Sequence, residues 1–169
     1  MKNIIIGLAL VATTLTASSI MDTKSPASIK EIVSAYLEMK NALTQDNSTG
    51  AATSGKKLEA AFKNFDKSAL TAAQKKTYED VEADAKEHAE HIGANGGNIA
   101  HQREHFELLS KDIYDLIKTF GAGQVLYKDF DPMAGNGKGA FWISETKDIK
   151  NPYMGKAMLT SGSVKEEIK

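Results

Sequence analysis

The sequence predicts a mainly α protein: an antiparallel four-helix bundle followed by an irregular C-terminal lobe containing short strands. Three observations point there. Between residues 26 and 120, apolar side chains recur at three- and four-residue spacing in four separate blocks. The connectors between blocks are short and carry Gly, Asn, Asp or Ser, which places consecutive helices side by side in opposite directions. After Gly123 the helical period stops, and residues 126–162 hold the single Trp, three of the six Met and two of the three Pro.

At 169 residues the chain is of one-domain length. Residues 1–19 read as a secretory signal peptide: Lys2 supplies a positive start, residues 4–15 (IIIGLALVATTL) are apolar, and small residues follow from Thr16 to Ser19. That run is shorter than the roughly 20 apolar residues needed to span a bilayer. Cleavage near Ala17 or Ser19 leaves a single helical domain over residues 20–169, its lobe starting at about 124. The expectation is a periplasmic or secreted protein with no transmembrane segment in the mature chain.

The first helix is expected over residues 26–44. Ser25 caps it, Pro26 occupies its first position, and Ile29, Ile32, Val33, Tyr36 and Leu37 form the inner stripe. The second runs over about 50–65, with Leu58, Ala61, Phe62 and Phe65 on one face. The third opens at Thr71, where Gln74 three residues on completes a capping-box pattern. Its stripe is Tyr78, Val81, Ala85, His88 and Ile92, and Gly93, Gly96 and Gly97 are read as its end. Asn98 caps the fourth, which carries Ile99, Phe106, Leu109, Ile113, Leu116, Ile117 and Phe120 before Gly121 stops it. Short strands are expected at 124–130 and 140–144, with a turn at Asn151-Pro152. Trp142, Phe141 and Tyr153 are the aromatic anchors expected to fix the lobe to the bundle.

Charge narrows the function classes. The net charge of −1 becomes −2 once Lys2 leaves, which gives no electrostatic footprint for nucleic acid or an anionic membrane. The chain has no Cys, so disulfides, thiolate catalysis and Cys-based zinc sites are excluded.

All four His fall between positions 88 and 105. His88 and His91 precede the Gly-rich turn, and His101 and His105 follow it. Residues three or four apart share a helix face, so an antiparallel hairpin brings both pairs to one end of the bundle. Four imidazoles there, with Glu87, Glu90 or Glu104 nearby, suit a transition metal; on solvated faces they would be ordinary polar side chains. His101-Gln102-Arg103-Glu104-His105 also matches the short inverted zinc-protease pattern, but such a motif recurs by chance, and nothing else marks a hydrolase. The Gly135–Gly139 run lacks the Ser or Thr and the helix of a phosphate loop. Asp129 and Asp131 begin like a calcium loop, but Met133 and Ala134 interrupt it. Met133, Met154 and Met158 offer thioether sulfur suited to Cu(I), though Met also fills cores.

Several motifs together resemble a bacterial periplasmic family of unknown function (DUF3347-like), found alone or fused to the adaptor subunits of copper/silver efflux systems. The matching residues are Tyr36-Leu37, Lys40 to Leu43, Arg103 to Phe106, Leu109-Ser110, Val125 to Tyr127, Pro132 to Ala134, Gly137 to Ser144, Ile149 to Tyr153, Lys156 to Thr160 and Gly162. The family pattern carries Cys before Pro-Met and before the final Gly. Here those positions are Asp131 and Ser161. The resemblance implies an exported, non-enzymatic domain in heavy-metal handling of the copper type, with an efflux-system or envelope protein as partner. The candidate metal residues are His88, His91, His101, His105, Asp131, Met133 and Met158. With both thiols replaced, a soft Cu(I) site is less well served than one for a harder divalent ion. The alternative reading is a metal-independent interaction module of the envelope.

Overall fold

The computed structural model describes residues 27–169; the expected signal peptide and the Ser25-Pro26 cap lie outside the described residues. Four long helices, α1 (Ala27–Thr44), α2 (Ser48–Lys63), α3 (Ala72–Ala94) and α4 (Ile99–Phe120), form the antiparallel bundle. Each packs on the next, and α1 closes the ring against α4. A three-stranded antiparallel sheet follows, built from β1 (Leu126–Asp131), β2 (Ala140–Ser144) and β3 (Ser163–Ile168) in the order β2-β1-β3. No helix among the described residues is long and apolar enough to cross a membrane.

The apolar stripes meet in one core. Ile29, Ile32, Tyr36, Met39 and Leu43 from α1 join Leu58 and Phe62, Tyr78 and Ile92, then Phe106, Leu109 and Ile113, all at or near zero exposure. Burying each large apolar side chain contributes about 1.5–3 kcal/mol, so the stripes dominate the stability of the bundle. Tyr36 stacks on Phe106 with ring centroids 5.0 Å apart, and Phe65 stacks on Tyr78 at 4.0 Å.

Helix termini follow the capping chemistry. At Thr71 both halves of the capping box are present, and Asn98 accepts from the His101 backbone N–H at 3.3 Å. α2 differs from expectation: it starts at Ser48, because the Asn47 side chain accepts from the Gly50 N–H at 2.9 Å and caps the helix earlier. Gly93 also differs. It lies inside α3, where a Cβ on it would sit 3.1 Å from the Lys56 Cγ and 3.3 Å from the Lys56 nitrogen; the tighter approach is at Gly55, whose Cβ would sit 2.8 Å from the Gly93 nitrogen and the Ala89 carbonyl oxygen. The reversal into α4 falls to Gly97, at φ +112°.

The lobe packs on α4 and α1 through β2. Trp142 is fully buried and meets Tyr153 edge-on at 5.9 Å; the Tyr153 hydroxyl donates to the Phe141 carbonyl at 2.6 Å. Phe141 sits edge-on to Tyr114 of α4. Hydrogen bonds stitch the junction: the Ile143 N–H donates to the Tyr36 hydroxyl at 3.1 Å, Lys40 pairs with Glu145 at 2.7 Å, and Arg103 donates to the Pro152 carbonyl at 2.7 Å. Strand β3 was not expected. Its sequence, Ser-Val-Lys-Glu-Glu-Ile, is charged and mostly exposed, the composition of an edge strand rather than of a sheet centre.

Candidate metal centre

The α3–α4 hairpin brings the four imidazoles together. His88 and His91 stand on the last turns of α3, and His101 and His105 on the first turns of α4. Ring centroids of His91 and His105 lie 4.3 Å apart and stacked, those of His101 and His105 4.6 Å apart and edge-on, and those of His91 and His101 5.8 Å apart. One ligand atom from each of His91, His101 and His105 can be chosen so that all three lie within 4.8 Å of one another. Around a tetrahedral ion with bonds of 2.0–2.1 Å, neighbouring nitrogens sit about 3.3 Å apart, so the three rings must turn and draw closer to hold one. His88 reaches His105, Nδ1 to Nδ1, at 3.2 Å.

Local sequence explains why the rings converge. Positions 88 and 91, and 101 and 105, project from one helix face each. A polar clamp that no sequence motif announces holds the turn between them. The fully buried Gln102 donates to the carbonyls of Ser48 (3.0 Å) and Ile92 (3.1 Å), and accepts from the Ser48 hydroxyl at 2.8 Å. The Ser48 oxygen in turn accepts from the Gly97 N–H at 2.7 Å. Gln102 adjoins His101, so the start of α2 fixes the register of the imidazole-bearing turns. Its only sequence trace is a polar residue on the core side of α4.

The electrostatics keep lone pairs available. Burial, followed by the neighbouring imidazoles His91, His101 and His88, lowers the pKa of His105. Burial also lowers that of His88, outweighing Glu87 and Asp84. A neutral imidazole is the metal-binding form. Carboxylates stand at the rim: Glu104 lies 3.5 Å from the His101 Nδ1, and Glu87 lies 3.9 Å from the His91 Nε2. Further along the same seam, Asp112 keeps one buried oxygen without a hydrogen-bond partner. Burial and the nearby Asp84 and Asp115 push its pKa up to about 7.

Three candidate residues stand outside this set. Asp131 is fully buried and committed: its Oδ1 accepts from the Met133 N–H at 2.9 Å, and its Oδ2 accepts from Asn151 Nδ2 at 2.6 Å and the Ser161 hydroxyl at 3.1 Å. Asp131 and Ser161, far apart in the chain, therefore touch one another as an acid and an alcohol. Met133, 57% exposed, lines a shallow cleft with Glu104, Glu107, Tyr153 and Met154. Met158 is 44% exposed at the end of the 3-10 turn Gly155–Met158 and does not line that cleft.

A family model described as "Protein of unknown function (DUF3347)" matches residues 32–125, a span that holds all four His and ends ahead of the sheet. No curated protein and no solved structure matches the chain.

Proposed function

The chain belongs to the DUF3347 family, and we propose that it is an exported, non-enzymatic domain that binds a divalent transition-metal ion through His91, His101 and His105. The observation that carries the reading is the convergence of three ligand atoms within 4.8 Å at one end of the bundle. Imidazole nitrogen suits Zn²⁺, Cu²⁺ and Ni²⁺, whereas Mg²⁺ and Ca²⁺ take oxygen and Cu(I) takes sulfur. Three protein ligands leave a tetrahedral ion one position open to solvent, which fits an exchangeable site better than a structural one. The partly exposed rings suit the same use, since an ion can arrive and leave without the bundle opening. Handling of heavy metals in the cell envelope, beside an efflux or envelope protein, is the setting this reading proposes.

Calorimetric titration of the purified protein with Zn²⁺, Cu²⁺ and Ni²⁺ tests it. The expected result is one site with Kd below about 10 μM, near −7 kcal/mol, that His101→Ala abolishes. Binding no tighter than about 100 μM for all three ions would leave the metal-independent interaction module as the better reading. The exposed Met133 cleft, with two thioethers beside two carboxylates, is the surface that favours that second reading.

A further inference from the structure

We propose that His88 is a positioning residue rather than a ligand: its ring holds His105 in the Nδ1–H tautomer and so frees the Nε2 lone pair of His105 for the metal ion. The inference rests on the metal-binding reading above and deepens it. Among the described residues, the ligand atoms that cluster are those of His91, His101 and His105, and His88 is not one of them. Its contact is instead ring to ring, Nδ1 to Nδ1 at 3.2 Å from His105. Two facing imidazole nitrogens bond only when one carries hydrogen and the other a lone pair. If His105 accepted, its proton would sit on Nε2 and neither nitrogen would be left to bind an ion. If His105 donates, Nε2 is free. The direction of one hydrogen bond thus decides whether the site has three ligands or two.

Metal-bound His side chains ordinarily donate their second N–H to a carboxylate or a carbonyl. Here the acceptor is a neutral imidazole, which fixes the tautomer and the ring plane without adding negative charge to the site. The ion would therefore be oriented without the extra attraction a carboxylate supplies, which suits exchange. His88 is held for this task by its place on α3, one turn before His91 on the same face.

Nitrogen-15 NMR of the metal-free protein reads the tautomer directly and does not depend on any metal. The expected result is a protonated Nδ1 and a bare Nε2 on His105, reverting to the Nε2–H form in His88→Ala. Calorimetry with Zn²⁺ should then show affinity weakened about 10–100-fold in His88→Ala. His88→Asn, whose amide oxygen lies where Nδ1 was, should recover most of it. Circular dichroism should match wild type for both variants. Finding His105 as the Nε2–H tautomer in wild type overturns the proposal. So does unchanged Zn²⁺ affinity in His88→Ala, or a metal-induced shift showing His88 bound to the ion itself. If wild type binds no Zn²⁺ but the Nδ1–H tautomer of His105 is present and lost in His88→Ala, the metal reading fails while the orienting contact stands.

Discussion

The imidazole cluster and the acidic pair of β1 both gather polar groups where two elements meet, and the fold treats them in opposite ways. The imidazoles lie at a partly exposed end of the α3–α4 hairpin, where each ring neighbours another and water reaches the rest. Asp129 and Asp131 are fully buried on one strand. Asp131 has three donors, whereas neither oxygen of Asp129 has any, and neither does the indole N–H of Trp142, its register partner on β2, have an acceptor. A half-solvated group can exchange water for a ligand at small cost. A buried one must find its partner inside the fold or change its charge state. The first arrangement lends itself to binding, and the second determines stability.

The largest expected effect breaks the satisfied half of the buried pair. Asp131→Ala leaves one N–H of the Asn151 amide, the Ser161 hydroxyl and the Met133 N–H without their acceptor, and should cost about 3 kcal/mol in urea unfolding. A loss under about 1 kcal/mol would mean that the lobe does not depend on this node. Next comes the unsatisfied half, with the opposite sign. Burial pushes the Asp129 carboxyl from 3.8 up to about 6; Lys40 opposes this and Glu145 adds to it. The unfolded chain ionises Asp129 first as pH rises, so the contribution of Asp129 to stability falls between about pH 4 and pH 6 and is level above that. Asp129→Asn should therefore stabilise by about 2 kcal/mol at pH 7.5, with the gain vanishing near pH 3.5. A gain independent of pH would show that the carboxyl is not the cause. Ser161→Ala removes one of the three donors and should cost about 1 kcal/mol. Smallest is His101→Ala without metal, within about 0.5 kcal/mol of wild type by thermal unfolding, because its ring is partly exposed and makes no buried hydrogen bond. Added Zn²⁺ should raise the melting temperature of wild type and leave that variant unmoved.

Much of this was readable from residue spacing. The stripes of α1 to α4, the Thr71–Gln74 box and the Asn98 cap are local chemistry, and local chemistry is written in neighbouring residues. The approach of the imidazoles follows from the helical period and a short turn, so it too was legible. Asp131 was not. A carboxylate beside Pro-Met suits a ligand, and its true partners, Asn151 and Ser161, lie 20 and 30 positions away with nothing local to mark them. The Gln102–Ser48 clamp is hidden for the same reason, and β3 because a charged edge strand lacks the apolar alternation that identifies one. Gly93 misled because glycine ends helices and also lets them cross closely, and only the neighbouring helix decides which.

That crossing sets a gauge for the chemistry. The hydrogen at Gly55 lets α2 seat against the last turns of α3, and His91 rides on those turns two residues before Gly93. A methyl group at 55 would act as a shim against the end of α3 and shift the turn that carries His91. The placement of one imidazole in the proposed metal site thus depends on an atom of a helix that contributes no ligand.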